Sequence, residues 1–158
     1  MKNRSEKDAV LIDDKLQSKP EVIVAFLAWD EKYSVHIELI DAQHKKLFAL
    51  LKNLFDEMGK DRTREALGVT IGELIQYAME HFATEEKLLT QYNFPGYLDH
   101  KKEHEAFEVK VAAFQRDFKE GKTTLTLDVI KFLLSWLDHH ILKVDKEYAP
   151  FLIDKGVC

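Results

Sequence analysis

Apolar positions recur at helical spacing over most of the chain. Leu47, Leu51, Phe55 and Met58 follow one another at steps of four, four and three, which predicts one amphipathic helix. Asp41 reads as its N-cap and Gly59 as its stop. A second helix is expected to start near Asp61 to Thr63, to carry Leu67, Ile71, Leu74 and Ala78 as its stripe, and to run to about Leu89. Asn93-Phe94-Pro95-Gly96 is a breaker. The third helix carries Tyr97, Phe107, Val111, Phe114 and Phe118 on one face and closes at Gly121. Thr123, Thr124 and Thr126 offer caps for a fourth, with Val129, Leu133 and Trp136 on its stripe and Pro150 as its latest end. Upstream, Glu21 to Ile40 shows no clean period and reads as an irregular or partly helical arm on the main body. Four helices joined by short turns predict an all-α protein, an antiparallel up-down-up-down four-helix bundle with an N-terminal arm.

Composition narrows this picture. A length of 158 residues suits one domain, expected over 21–158, with residues 1–20 as a polar extension ending near Pro20. Six Gly and three Pro are too few for a loop-rich all-β chain of this size. Acids outnumber bases, 28 to 23, which argues against nucleic acid as a partner, because phosphate binding needs a basic surface. The longest apolar run, Val22 to Trp29, is far short of the roughly 20 residues of a membrane span, and the charged start does not read as a signal peptide. Cys158 is the only cysteine. It supports no internal disulfide and no thiolate metal cluster, so a reducing, cytoplasmic setting is expected.

Extending each apolar stripe exposes polar residues on it. His44 lies three before Leu47. His81 and Glu85 continue the second stripe beyond Ala78. Tyr97 leads to His100, His104 and then Phe107. Trp136 leads to His140. A lone inward histidine is ordinarily a core residue satisfied by a hydrogen bond. Five with a carboxylate are different, because each unsatisfied buried polar group costs about 1–3 kcal/mol and a buried charge costs more. Metal ions resolve this, since they accept neutral imidazole and neutralise carboxylate. His81 and Glu85 are four apart, as are His100 and His104, so each pair shares a helix face. Asp145 follows His140 by five, a rotation of about 140° on a regular helix. The two can meet only where the helix end is distorted or frays. The donor count exceeds what one ion needs and suits two ions with bridging carboxylates. His-rich ligation without Cys suits iron, although Mn, Co or Zn would also bind such groups.

These residues resemble the bacterial hemerythrins, non-haem di-iron proteins of the hemerythrin family. The resemblance rests on Ile40-Asp41-Ala42-Gln43-His44-Lys45, His81-Phe82-Ala83-Thr84-Glu85-Glu86, His100-Lys101-Lys102-Glu103-His104-Glu105, and the run from Trp136 to Asp145 containing Asp138-His139-His140-Ile141. Trp29-Asp30 and Tyr33-Ser34-Val35 look like the family's arm, so the likeness covers about residues 29–150. Each motif is weak alone; four in this order are specific. The resemblance implies a four-helix bundle that binds O₂ reversibly at an oxo- or hydroxo-bridged pair of iron ions, for storage, transport or delivery to oxygen-requiring enzymes, and no enzyme activity. It implies that His100, His104 and His140 hold one iron and His44 and His81 the other, with Glu85 and Asp145 bridging. O₂ is the implied ligand of the two-histidine iron, inside a pocket of Leu47, Phe82, Trp136 and Ile141. The alternatives on the same site are an O₂, redox or iron sensor, or a peroxide or nitric oxide reductase. Glu86 and His139 are expected to turn about 100° from their neighbours, toward the surface or behind a ligand. His36, where the family often has Gly, is read either as a solvated arm residue or as a group near the site. The polar extension is expected either to be disordered or to dock on a protein partner.

Overall fold

The structure, a computed structural model, describes residues 27–58, 60, 64–122 and 125–158. Four long rods account for most of them. They are α1 (Glu38–Met58), α2 (Arg64–Gln91), α3 (Tyr97–Lys119) and a fourth rod in three parts: α4 (Leu125–His139), a π-helical turn (His140–Val144) and α5 (Asp145–Asp154). Helix α1 packs on α2, α2 on α3, α3 on α4, and α4 returns to α1. The ring closes as a four-helix bundle, and no strand occurs among the described residues. None of the helices there is long and apolar enough to cross a membrane.

The chain turns where the side-chain pattern requires. Asn93 (φ 55°), Gly121 (φ 83°) and Gly156 (φ 84°) take the left-handed conformation just past α2, α3 and α5. Each helix end closes with the same pair of bonds. In α3, Lys122 N–H reaches Asp117 O and Gly121 N–H reaches Phe118 O, which satisfies carbonyls that a helix end leaves free.

Some expected boundaries move. Helix α1 starts at Glu38, so Asp41 is inside its first turn rather than its cap, and its N–H bonds Ile37 O at 2.9 Å. Its carboxylate instead reaches back, accepting from Val35 N–H at 2.8 Å and Ser34 O–H at 2.5 Å. It thus fastens the arm to the helix. Thr126 falls inside α4 and is no cap. The fourth rod passes through Pro150 and ends at Asp154. Pro150 is exposed, and its missing N–H leaves the carbonyl of Lys146 without its helical partner. Gly59, Asp61 to Thr63, Thr123, Thr124 and the extension 1–20 lie outside the described residues. The described part of the arm is irregular with one 3₁₀ turn (Glu31–Tyr33), as expected.

Two apolar clusters fill the bundle. The larger gathers Leu47, Leu51, Ile71, Leu74, Phe107, Val111, Leu133 and Trp136, together with Leu27 and Tyr33 from the arm. The smaller gathers Val35, Ile37, Ile40, Leu89, Tyr148 and Leu152. Besides Ser34 in the arm, seven buried polar side chains, His44, His81, Glu85, His100, His104, His140 and Asp145, belong to neither.

Candidate metal centre

Each of those seven side chains is at most 3% exposed, and all four rods contribute. His44 comes from α1, His81 and Glu85 from one face of α2, and His100 and His104 from one face of α3. His140 and Asp145 flank the π turn. Every imidazole turns its Nε2 inward. His44 Nε2 is 3.2 Å from His81 Nε2, and His104 Nε2 is 3.3 Å from His140 Nε2. The donor atoms form two groups, Glu85–His100–His104–His140 and His44–His81–Glu85–Asp145, and within each they lie within 4.8 Å of one another.

Both carboxylates straddle the groups. Glu85 turns Oε2 to His104 (3.1 Å) and His100 (3.3 Å), and Oε1 to His81 (3.5 Å). Asp145 turns Oδ1 to His140 (2.9 Å) and Oδ2 to His44 (3.2 Å). The π turn makes the second arrangement possible. Asp145 N–H bonds His140 O, a step of five residues rather than four, so one extra residue is taken into the turn. That extra residue brings Asp145 back beneath His140. The distortion required by their spacing is therefore present, and Asp145 joins the other donors.

The electrostatics follow from burial and proximity. Burial pushes the Glu85 carboxyl up, but the surrounding imidazoles hold it well below the ordinary carboxylate range. Burial and Glu85 likewise push Asp145 up, yet His140 and His44 bring it down to about 2. Burial pulls His81 down to about 4 despite Glu85 nearby. Burial also acts to lower His140, but Asp145 and Glu85 raise it to about 10.

The donors fit a pair of metal ions. Both Asp145 oxygens, His44 Nδ1 and His140 Nδ1 are buried without a well-aligned hydrogen bond. Asp145 sits close to two imidazole nitrogens at angles unsuited to hydrogen bonds, an arrangement that suits ligands around an ion better than ligands to each other. Seven nitrogen and oxygen donors exceed the needs of one ion, and a thiolate is absent from the described cluster.

Supporting contacts orient the ring atoms. His81 Nδ1 lies 2.9 Å from Gln43 Oε1, and Gln43 Nε2 donates to Thr84 Oγ1 at 3.0 Å. His104 Nδ1 lies 3.0 Å from Glu86 Oε1. A partner on Nδ1 keeps the proton there and leaves Nε2 free to ligate. Glu86 thus backs a histidine. Gln43 and Tyr148, whose hydroxyl donates to Glu85 Oε1 at 2.5 Å, were not singled out from the sequence. Gln43 adjoins His44, and Tyr148 lies one turn past Asp145; those positions were the available signal. Burial and Glu85 push the Tyr148 hydroxyl well above its ordinary range, which keeps it a proton donor.

The four apolar candidates are buried around this layer. Phe82 stacks on His104, with centroids 4.0 Å apart and planes 10° off parallel. Trp136 stacks on His140 at 4.2 Å and 16°. Leu47 and Trp136 border a small apolar cavity, about 10 Å³, with Leu51 and Ala78, room for roughly one water-sized molecule. Ile141 is fully buried beside His140 in the π turn. His36 is exposed with φ 59° and meets only Ser34 Oγ, at 3.4 Å, by its ring. His139 is exposed, 3.9 Å from Glu103. Both are exposed and neither belongs to the two donor groups, in keeping with the solvated reading of His36.

Comparison with known proteins agrees with this geometry. The family model for the hemerythrin HHE cation binding domain matches residues 35–152. A bacteriohemerythrin of Stenotrophomonas maltophilia is 34% identical over 127 residues, covering 80% of this chain and 81% of that protein. A myohemerythrin of Sipunculus nudus is 34% identical over 120 residues, covering 76% and 88%. A crystal structure of wild-type hemerythrin superposes with a TM-score of 0.73 at 30% identity, covering 78% of this chain and 95% of that one. With four rods, their donor layer and this match over most of its length, the chain belongs to the hemerythrin family.

Proposed function

We propose that this protein binds O₂ reversibly at two non-haem iron ions and serves as an oxygen store, transporter or delivery protein rather than an enzyme. One observation carries the reading: seven sealed nitrogen and oxygen donors form two groups that share Glu85. His100, His104 and His140 would hold one iron and His44 and His81 the other, with Glu85 and Asp145 as the carboxylates shared between them. Paired ferrous ions, when bound, supply the electron pair that O₂ takes up on binding and returns on release. The two-histidine group offers fewer protein donors and so leaves room for O₂.

The protein's own residues make reversal feasible. Leu47, Phe82, Trp136 and Ile141 keep water and stray protons from the ions, which would otherwise be left oxidised. Gln43 and Glu86 hold protons on the outer nitrogens of His81 and His104, so inner nitrogens remain ligands. A cytoplasmic setting suits the exposed free thiol of Cys158. Residues 1–20 form a separate polar extension in this reading, with a protein partner as its proposed use.

The test is the visible spectrum of iron-loaded protein under nitrogen, then air, then nitrogen again. Colour that appears in air and vanishes on deoxygenation is expected. Irreversible bleaching, or no change in air, would overturn the reading. Steady-state turnover of peroxide or nitric oxide with a reductant would favour an enzyme instead.

A further inference from the structure

We propose that Tyr148 is a positioning residue that holds Glu85 across the two donor groups, and so sets how tightly the second metal ion binds. The inference rests on the dinuclear reading above and deepens it. Glu85 experiences an uneven pull. Its Oε2 faces three imidazoles, His104 at 3.1 Å, His100 at 3.3 Å and His140 at 3.9 Å. Its Oε1 faces one imidazole, His81, at 3.5 Å. Left to these contacts, the carboxylate would swing wholly into the three-histidine group and become a ligand of one ion. The Tyr148 hydroxyl opposes that. It donates to Oε1 at 2.5 Å, on the side where imidazoles are fewest.

Tyr148 can act as a fixed post because its ring cannot move freely. It is 1% exposed and belongs to the apolar cluster of Val35, Ile37, Ile40, Leu89 and Leu152. Its ring also meets His100 edge-on, with centroids 5.3 Å apart. Asp145, the other bridging carboxylate, stands one helical turn before it on α5. One short helix thus supplies one bridge and steadies the other. A tyrosine that merely satisfied its own hydroxyl would make a different prediction. Its loss would weaken the fold, or both ions alike, and would not separate the first ion from the second.

The experiment titrates metal-free full-length protein with Co(II) under nitrogen, by calorimetry with a competing chelator, for wild type and Tyr148→Phe. Wild type is expected to take two ions. In Tyr148→Phe the first-ion affinity is expected to stay within about twofold. The ratio of first to second affinity is expected to rise at least about tenfold, in line with the loss of a carboxylate's supporting hydrogen bond. Tyr148→Leu, which also lacks the hydroxyl but fills the apolar cluster, should give the same rise and serves if the Phe variant folds poorly. A ratio unchanged from wild type in the variants overturns the role of Tyr148. A wild type that takes up no second ion overturns the dinuclear reading itself.

Discussion

The three-histidine group and the two-histidine group share Glu85, yet the protein supports them differently. His100 and His104 share one helix face, and His104 and His140 are each backed by a flat aromatic ring, Phe82 at 4.0 Å and Trp136 at 4.2 Å. His44 and His81 come from different helices and meet edge-on, with centroids 4.7 Å apart and planes 72° from parallel. Gln43 steadies only His81. One group is therefore nearly complete from its own histidines and packing. The other depends on the carboxylates that reach across to it. The difference teaches that two adjoining donor groups in one bundle can be built unequally, one largely from its own histidines and one leaning on shared carboxylates.

Glu85→Ala should have the largest effect, because Glu85 stands in both groups and faces four imidazoles. Iron after anaerobic loading is expected to fall from two ions per chain to one or fewer, read by elemental analysis. Two ions retained would remove Glu85 from the shared position. Single-histidine variants then separate the halves. His81→Ala is expected to abolish a reversible oxygenated spectrum while leaving first-ion affinity within about twofold. His104→Ala should weaken the first ion by at least 10–100-fold, the scale seen for lesser supporting contacts. Equal losses in the two variants would erase the asymmetry.

Leu47→Ala probes the apolar wall. Deleting a buried leucine side chain beside an existing cavity should cost about 2–5 kcal/mol of stability and speed autoxidation by admitting water. Thermal melts and the decay of the oxygenated spectrum measure the two effects; an unchanged decay rate would remove Leu47 from guarding the site.

The smallest expected effect is the pH response of the metal-free protein, where one histidine from each half behaves oppositely. His81 falls to about 4 in the folded chain because burial disfavours its charge. The unfolded chain takes up that proton first, so stability is full above about 6.5 and declines as pH falls toward 4. His140 rises to about 10 because Asp145 and Glu85 outweigh its burial. Its contribution is full below about 6.5 and is lost as pH rises through about 10. Denaturant unfolding across pH should therefore show a maximum near 6.5. His81→Ala should flatten the acid limb and His140→Ala the alkaline one. Glu85 and Asp145 add their own acid limb below about 4.5, so a His81→Ala profile that keeps its slope between about 6.5 and 4.5 would contradict the assignment.

Most of this site was legible because it interrupts a simpler pattern. His44, His81, Glu85, His100, His104 and His140 fall on apolar stripes, where the 3.6-residue period makes a polar residue conspicuous. Asp145 fell out of register, since a regular helix places it about 140° from His140. The π turn that corrects this leaves no mark in the hydrophobic pattern. Gln43 and Tyr148 were hidden for another reason. Their roles depend on how neighbouring rods align, and a single rod's periodicity is silent on that alignment. The boundaries shifted through local chemistry: Asp41 is a good capping residue used to fasten the arm, and the rod continues through Pro150 although proline lacks the N–H a helix uses.

The claim on which these comparisons depend is that the seven donors hold two ions together. Elemental analysis of the full-length chain after anaerobic loading with ferrous iron and removal of the excess tests it most directly. Two irons per chain is the predicted result, and one or none would contradict it.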